Sequence, residues 1–194
     1  MSDNETKSHT VQARALLANA ELIFDENAVQ TAVDQVAEKL NLRFDVDDCT
    51  PSPLVLGVMG GAVVFSGQLL TRLSFPLEFD YIHVTRYGHK DRGGKVEWKV
   101  EPRADVKGRT VIVLDDILDE GETLAHVKER LLSMGAAEVL IVVFADKAIG
   151  KHKPVQPDYV GLVLPNKFVV GYGMDAYGYW RNLPDIWAIQ TGTA

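Results

Sequence analysis

The chain lacks the features that mark several large protein classes. Cys49 is its only cysteine in 194 residues, so no intrachain disulfide can form and no cysteine-based metal cluster is expected. No apolar run approaches the roughly 18 residues of a membrane-spanning helix, which argues against a membrane protein. The opening MSDNETKSHT lacks the basic and apolar regions of a secretory signal. We therefore expect a cytoplasmic protein.

An excess of positive charge is also missing. The formal net charge of -7 argues against a general nucleic-acid binder, although it leaves room for a local basic pocket. What is present is ordinary for a globular protein: 46% hydrophobic and 24% charged residues. The length predicts a single domain over 10–194, and the polar residues 1–9 are expected to be a disordered tail.

Helical and strand patterns alternate along the chain. Helical spacing covers VQARALLANAELIF (11–24) and ENAVQTAVDQVAEKL (26–40). The second segment has Val29, Val33, Val36 and Leu40 on one face, and Asp25 before it is a candidate N-cap. Near-continuous apolar strands are expected at 54–59, 110–116 and 138–147, an alternating strand at 77–87, and shorter strands in KVEWKVE, YVGLVLP and FVVGYG. Apolar strands interleaved with helices predict an α/β fold, with a mainly parallel sheet flanked by helices. Ligands of such sheets bind beyond the carboxyl ends of the strands.

An acidic turn stands at such a strand end, in TVIVLDDILDEGETLAHV. Asp115 and Asp116 follow the apolar run, and Asp119, Gly121 and Thr123 occupy the turn that opens the next helix. Backbone N–H groups at a helix start attract phosphate. Carboxylates hold sugar hydroxyls, or a hard cation such as Mg²⁺ that bridges to phosphate. The combination predicts a site for a phosphorylated sugar.

Other interpretations of the acidic turn remain open. Aspartate at a strand-to-helix turn is also a common helix cap, which needs no ligand. A Walker-type NTPase would need G-x-x-x-x-G-K-[ST], which the chain lacks. A phosphoacceptor receiver domain usually takes acids from an earlier strand, whereas the first clear strand here ends in Met59-Gly60-Gly61.

Two segments resemble a known family. VIVLDDILDEGETL resembles the phosphoribosyl-diphosphate (PRPP) motif of type I phosphoribosyltransferases, and LPNKFVVGYGMDAYGYWRNLPDIWAI resembles their hypoxanthine-guanine branch. The likeness covers roughly residues 20–190. It implies a type I phosphoribosyltransferase fold with a small hood built from the N- and C-terminal segments. It also implies transfer of 5-phosphoribosyl from PRPP to hypoxanthine or guanine, giving IMP or GMP and diphosphate in purine salvage, with Mg²⁺ as cofactor.

The resemblance assigns PRPP to two loops and one arginine. Asp115 and Asp116 would contact the ribose hydroxyls, directly or through Mg²⁺, and the loop from Asp119 would cradle the 5'-phosphate. Asp119 would also be the general base near purine N7, because the ring must lose a proton as it attacks the anomeric carbon. The PRPP-binding residues that it implies are Asp115, Asp116, Asp119, Glu120, Gly121, Glu122, Thr123, Met59, Gly60, Gly61 and Arg181.

The two loops depart from the usual family pattern. Glu120 and Glu122 replace the usual Thr and Lys or Arg, and we expect both to face solvent because inward carboxylates would repel a phosphate. Met59 stands where the family often has Lys. The family's unusual cis peptide would fall between Met59 and Gly60. A double glycine is, however, also common in a tightly packed turn.

The purine would be held by Lys147, Phe168, Val169 and Asp175. Lys147 would donate to the 6-oxo group and so exclude adenine, whose amino group offers no acceptor there. Phe168 would stack on the base, and the backbone of Val169 would contact its edge. Without the matched segments, a solvated lysine, a core phenylalanine and a turn aspartate would be the simpler interpretations. The metal ligands that the resemblance implies are Asp115, Asp116 and Asp175.

A mobile loop and an oligomer complete the expectations. Arg86 and Tyr87 open the segment 86–98, which by resemblance closes over the site, although an exposed hairpin tip would have a similar composition. Lys151 is a further candidate for a diphosphate contact. A dimer or tetramer is expected, with neither nucleic acid nor membrane as partner. The competing functions are a phosphoribosyltransferase for xanthine or another base, and a PRPP- or nucleotide-sensing regulator without catalysis.

Overall fold

The computed structural model describes residues 11, 13–44, 51–87 and 95–190. Residues 13–18 are helical. The helices that follow are α1 (Glu26–Phe44), α2 (Val63–Leu70) and α3 (Glu122–Ser133). The strands are β1 (Glu21–Phe24), β2 (Leu54–Met59), β3 (Glu78–Tyr87), β4 (Lys95–Val100), β5 (Thr110–Leu118), β6 (Glu138–Ala148), β7 (Tyr159–Pro165), β8 (Phe168–Val170) and β9 (Ile186–Ile189). The expected tail over 1–9 and Cys49 lie outside the described residues.

Six strands form the main sheet in the order β4-β3-β2-β5-β6-β7. β2 pairs in parallel with β3 and β5, β6 pairs in parallel with β5 and β7, and β4 runs antiparallel at one edge. The predicted mainly parallel sheet is therefore confirmed. Its parallel strand ends put β2, β5 and α3 around one cleft, as the connection rules for such sheets require.

Successive residues of the central strands face opposite layers of helix, as the two-residue period of a strand requires. Val55 and Ile112 pack with α1 and α2, while Leu56 and Val113 pack with α3. The predicted apolar face of α1 is completely buried and consists of Val29, Val33, Val36 and Leu40. Its start is also as predicted, because Asp25 Oδ1 accepts from the Ala28 N–H at 2.8 Å. None of the described helices could cross a membrane.

A second, three-stranded antiparallel sheet has the order β1-β9-β8. Since β1 comes from the N-terminal segment and β8 and β9 from the C-terminal one, the expected hood is confirmed. The helical pattern over 11–24 is wrong in its second half, because Glu21–Phe24 is a strand. Glu21 pairs with Ala188, so the strand depends on a partner far along the chain.

Two strand boundaries also differ from the prediction. β5 continues to Leu118, which pairs with Asp146 of β6, so Asp115 and Asp116 lie inside the strand and not at its end. The ladder with β6 extends the strand beyond its apolar run. FVVGYG is a strand only as far as Val170, since Gly171 has a φ of +105° and the chain turns there.

The centre of the core depends on Phe144, which is 0% exposed and lies 4.3 Å from the ring of Tyr172 and 5.8 Å from that of Phe65, measured between ring centroids. We expect Phe144→Ala to lower the free energy of unfolding by about 3–5 kcal/mol, because it leaves a large cavity. Urea denaturation measures this loss. Phe79→Ala is the control, since that ring is 42% exposed and its loss should cost less than about 1 kcal/mol. Equal losses in the two variants would contradict this view of the core.

Candidate active site

A cleft of about 420 Å³ opens at the carboxyl ends of β2 and β5 and the start of α3. It brings together every residue predicted to bind PRPP, together with Asp175. These are Met59, Gly60, Gly61, Asp115, Asp116, Asp119, Glu120, Gly121, Glu122, Thr123, Asp175 and Arg181. Val84 and Ile117 add apolar walls that the sequence patterns did not single out. The cleft is thus polar at its loops and apolar along two strands.

The glycine-rich loop after β2 packs directly on Asp116. The peptide between Met59 and Gly60 is cis, as expected. A Cβ added to Gly61 would come closer to the Asp116 carboxylate than any real Cβ contact allows. Gly173 approaches from the C-terminal segment with a φ of +103°, and a Cβ there would collide with the Gly61 carbonyl oxygen. Both positions therefore require glycine for close packing around Asp116.

Asp115 and Asp116 form a pair of neighbouring carboxyl groups whose surroundings favour the binding of a cation or a proton. Burial raises the pKa of Asp115 well above its usual range, and the neighbouring charge of Asp116 raises it further. Burial also raises the pKa of Asp116, against a hydrogen bond from Asp115 and the charge of Arg181. The backbone N–H of Ile117 donates to Asp116 Oδ1 at 2.8 Å and fixes its orientation. A bound divalent cation would offset the cost of holding both groups charged.

Arg181 links the C-terminal segment to the buried carboxylate pair. Its guanidinium donates to the Gly173 carbonyl at 2.6 Å and lies 2.5 Å from Asp175 Oδ1. The same group is 4.0 Å from Asp116 Oδ2. Asp175 also accepts from the Gly178 N–H at 2.6 Å. Arg181 therefore places one fixed positive charge between two carboxylates at the mouth of the cleft.

The turn before α3 has the features of an anion site. Gly121 is the N-cap residue, has a φ of +84° and supplies no side chain to cap the helix. The N–H groups of the first helical turn therefore have no side-chain cap and remain donors for an anion. Glu120 and Glu122 are both exposed, as expected, although both border the cleft.

Asp119 and Lys147 form an ion pair at the edge of the cleft. Lys147 Nζ donates to Asp119 Oδ2 at 2.9 Å, and the exposed fractions of the two side chains are 12% and 49%. The ion pair therefore presents a donor and an acceptor side by side. Phe168 is 41% exposed, unlike a core aromatic, and Val169 is buried beside it in β8. Lys147, Phe168 and Val169 do not themselves line the 420 Å³ cleft, but Lys147 is joined to the acidic loop by its ion pair with Asp119.

A second cavity of about 380 Å³ lies beside the turn that precedes α3 and includes Lys151 and His152. Arg86 and Tyr87 end β3, opposite Val96 and Lys95 of β4. The loop over 88–94 that joins the two strands lies outside the described residues. Closure of that loop over the site stays a prediction.

Besides Val84 and Ile117, the sequence patterns missed two residues outside the cleft lining that shape the site. Gly173 is one glycine among 16, and only its contact with Gly61 shows why it matters. Lys153 is buried next to Gly121 in the turn that precedes α3, whereas its sequence context, GKHKP, indicates an exposed turn. Neither the turn chemistry nor the charge pattern carries a signal for these contacts.

Comparison with known proteins agrees with this geometry. A family model described as "Phosphoribosyl transferase domain" matches residues 19–176. The chain belongs to the phosphoribosyltransferase family. Hypoxanthine-guanine phosphoribosyltransferase of Lactococcus lactis is 39% identical over 140 residues, which cover 72% of this chain and 76% of that protein. The likeness therefore extends to the hypoxanthine-guanine branch.

A further relative and a solved structure support the same placement. The bifunctional protein TilS/HprT of Listeria monocytogenes is 36% identical over 166 residues; they cover 85% of this chain, which spans about a quarter (25%) of that protein's length. A crystal structure of a hypoxanthine phosphoribosyltransferase from Staphylococcus aureus superimposes with a TM-score of 0.81 at 26% identity, over 88% of this chain and 91% of that one. The sheet and hood are thus those of a type I phosphoribosyltransferase.

Proposed function

We propose that this phosphoribosyltransferase transfers 5-phosphoribosyl from PRPP to hypoxanthine or guanine, forming IMP or GMP and diphosphate in purine salvage. The observation that carries the proposal is the Asp119–Lys147 pair, 2.9 Å apart, beside the uncapped start of α3. One side of that arrangement suits a purine edge, and the other suits a sugar phosphate. The hypoxanthine-guanine enzymes among the relatives support the same substrates.

PRPP would lie along the 420 Å³ cleft with its 5'-phosphate on the turn from Asp119 to Thr123. The N–H groups of the first turn of α3 would hold that phosphate, since Gly121 offers no competing cap. The diphosphate would face the loop from Met59 to Gly61. Arg181 would offset the negative charge of the leaving diphosphate, as a guanidinium does in many phosphate sites.

The carboxylates of the cleft suit Mg²⁺ only when bound substrate supplies further ligands to the ion. The described residues contain no group of three or more acidic, His or Cys side chains that could hold a metal by themselves. Mg²⁺ usually takes one or two carboxylates and completes its shell with water and phosphate oxygens. Asp115 and Asp116, and separately Asp175, would supply such carboxylates. When bound, the ion would neutralise charge on the diphosphate.

The choice of base would follow from the Asp119–Lys147 pair. A 6-oxopurine presents the N7 position and the 6-oxo group along one edge, and the pair offers a carboxylate and an ammonium side by side. Asp119 would accept the N7 proton as the purine attacks the anomeric carbon. Lys147 would donate to the oxo group, whereas the 6-amino group of adenine offers it no acceptor. Phe168 would stack on the ring.

The decisive experiment incubates the purified protein with PRPP and Mg²⁺ and offers hypoxanthine, guanine, xanthine and adenine separately. Nucleotide and diphosphate should form with hypoxanthine or guanine, and only at a low rate with adenine. A clear preference for xanthine would replace the proposed substrate within the same reaction. PRPP binding without turnover on any base would favour a sensing regulator, and Glu120 and Glu122 would then be the first positions to replace.

Lys147→Met tests the selection of the base. The variant removes a charge-assisted hydrogen bond to the 6-oxo group, so kcat/KM for hypoxanthine should fall by roughly 10–100-fold. The low rate with adenine should change little, because adenine never made that bond. Steady-state kinetics with both bases check this. Lys128→Met is the matched control, since Lys128 also pairs with a carboxylate, Asp158, at 3.8 Å but lies outside the cleft lining. Equal losses on both bases would mean that Lys147 does not select the base.

Location and assembly are part of the same proposal. A cytoplasmic location stays a prediction, which cell fractionation would check. A dimer or tetramer of identical chains also stays a prediction, which light scattering would check. Neither nucleic acid nor membrane is proposed as a partner, and the net charge of -7 is consistent with that.

A further inference from the structure

We infer that Lys153 is a positioning residue that sets the spacing of Asp119 and Lys147. This inference rests on the proposed function, because its consequence concerns the purine. Lys153 is 7% exposed, although lysine is rarely buried without a partner. It comes from the loop between β6 and β7 and reaches under the edge of the cleft.

The ammonium of Lys153 uses all three of its donors. It donates to the carbonyl oxygens of Leu118 and Lys147, each at 2.7 Å, and to Asp146 Oδ1 at 2.5 Å. Three partners are the full capacity of a lysine ammonium, so its burial is completely compensated. Two of the three acceptors are backbone carbonyls. One belongs to Lys147 itself, and the other belongs to Leu118, which directly precedes Asp119.

We call these three hydrogen bonds of the Lys153 ammonium the clamp. Its position in the fold indicates what it does. The parallel ladder between β5 and β6 ends at the pair Leu118 and Asp146. Asp119 follows β5 directly beyond that pair, whereas Lys147 remains in β6 and pairs with Leu164 of β7. The Lys153 ammonium joins the Leu118 carbonyl to the Lys147 carbonyl at the point where the β5–β6 register ends. It therefore ties the end of β5, from which Asp119 follows, to the Lys147 backbone that β7 already holds.

The stem of Lys153 has a separate structural role. Its Cβ lies 3.3 Å from the position of a Cβ at Gly121, so the stem packs against the start of α3. Methionine keeps a stem of similar length and shape but has no donor. Lys153→Met thus removes the clamp and leaves the packing beneath the phosphate loop. This separates an effect on the purine from an effect on PRPP.

The test compares Lys153→Met, the double variant Lys153→Met/Asp146→Asn and the control Lys128→Met. Lys153→Met should lower kcat/KM for the purine by roughly 10–100-fold, because small misplacements of catalytic groups carry losses of that size. The dissociation constant for PRPP, measured without purine, should stay within about threefold of wild type. The double variant removes the charge left unpaired at Asp146. It should regain thermal stability without regaining kcat/KM.

Hydrogen exchange separates this inference from the proposed function. Amides of 117–118 and 147–149, which lie in or beside the strand ends that Lys153 contacts, should exchange faster in Lys153→Met than in wild type, while those of α1 stay unchanged. That comparison holds even if the wild-type protein turns over no purine, an outcome that would defeat only the proposed function. If these amides exchange in Lys153→Met at the wild-type rate, the inferred positioning role of Lys153 is overturned. So would recovery of both stability and kcat/KM in the double variant, which would show a purely structural role.

Discussion

Asp119→Asn should lower kcat by about 10²–10⁴-fold, the usual range for loss of a general base. The substitution keeps the shape of the side chain but removes the negative charge that accepts the N7 proton. Asp119 is half exposed and borders the cleft, so substitution should leave the fold intact. PRPP binding should be retained, because the backbone N–H groups at α3 do not depend on this carboxylate. Single-turnover measurements with hypoxanthine and PRPP report the chemical step directly.

The matched control for Asp119→Asn is Glu101→Gln. Glu101 is 53% exposed and pairs with Arg130 at 3.0 Å, so it resembles Asp119 in exposure and in having a cationic partner. It lies outside the cleft lining, and its loss should leave kcat unchanged. A kcat for Asp119→Asn within about threefold of wild type would remove Asp119 from the chemistry.

A double-variant cycle decides between two roles for Asp119. If Asp119 only holds Lys147 in place, Asp119→Asn and Lys147→Met should cost the same, and combining them should add nothing. If Asp119 accepts the proton itself, its replacement should cost more than that of Lys147, and adenine turnover should fall as well. The ion pair at 2.9 Å permits both roles. We expect the second result, because the ring must lose a proton whichever purine reacts.

The parts of the fold that the sequence predicted are those with strong local periodicity. The buried face of α1, with Val29, Val33, Val36 and Leu40, follows from its helical spacing alone. The central strands follow from their continuous apolar runs. β1 could not be predicted in this way, since ELIF continues a helical pattern and becomes a strand only by pairing with Ile186–Ile189. Its conformation is decided by tertiary contact and not by propensity.

The residues of the candidate site also divide into those that a local sequence pattern predicts and those that only tertiary contacts explain. The acidic turn indicated a phosphorylated sugar from its own chemistry, because carboxylates and a glycine precede a helix there. Lys147, Phe168 and Arg181 have no such local signal, and only the family resemblance singled them out. The burial of Lys153 needs three acceptors from separate parts of the chain, so no local pattern contains it. Residues that act through tertiary contacts are thus the ones that sequence patterns miss.

Gly61→Ala should lower kcat/KM for PRPP by roughly 100-fold, as expected when a ligand-binding loop is displaced by about 1 Å. The added methyl group would overlap the Asp116 carboxylate. That carboxylate cannot swing aside easily, since the Ile117 N–H holds it at 2.8 Å and Arg181 lies on its other side at 4.0 Å. The glycine-rich loop must therefore move, and with it the proposed diphosphate contacts. Steady-state kinetics at varied PRPP concentration measure the loss.

Two comparisons show whether the overlap with Asp116 is the cause. Gly67→Ala, in α2, has open space around the added methyl group and should keep full activity with equal or slightly higher stability. In an Asp116→Ala background the overlap is gone, so adding Gly61→Ala should cost almost nothing more. A full 100-fold further loss in that background would mean that the loop needs Gly61 for some reason other than Asp116. If the losses in kcat/KM from Gly61→Ala and Asp116→Ala nearly add in the double variant, this explanation is defeated. Additive losses require two independent effects, whereas the structure has one contact.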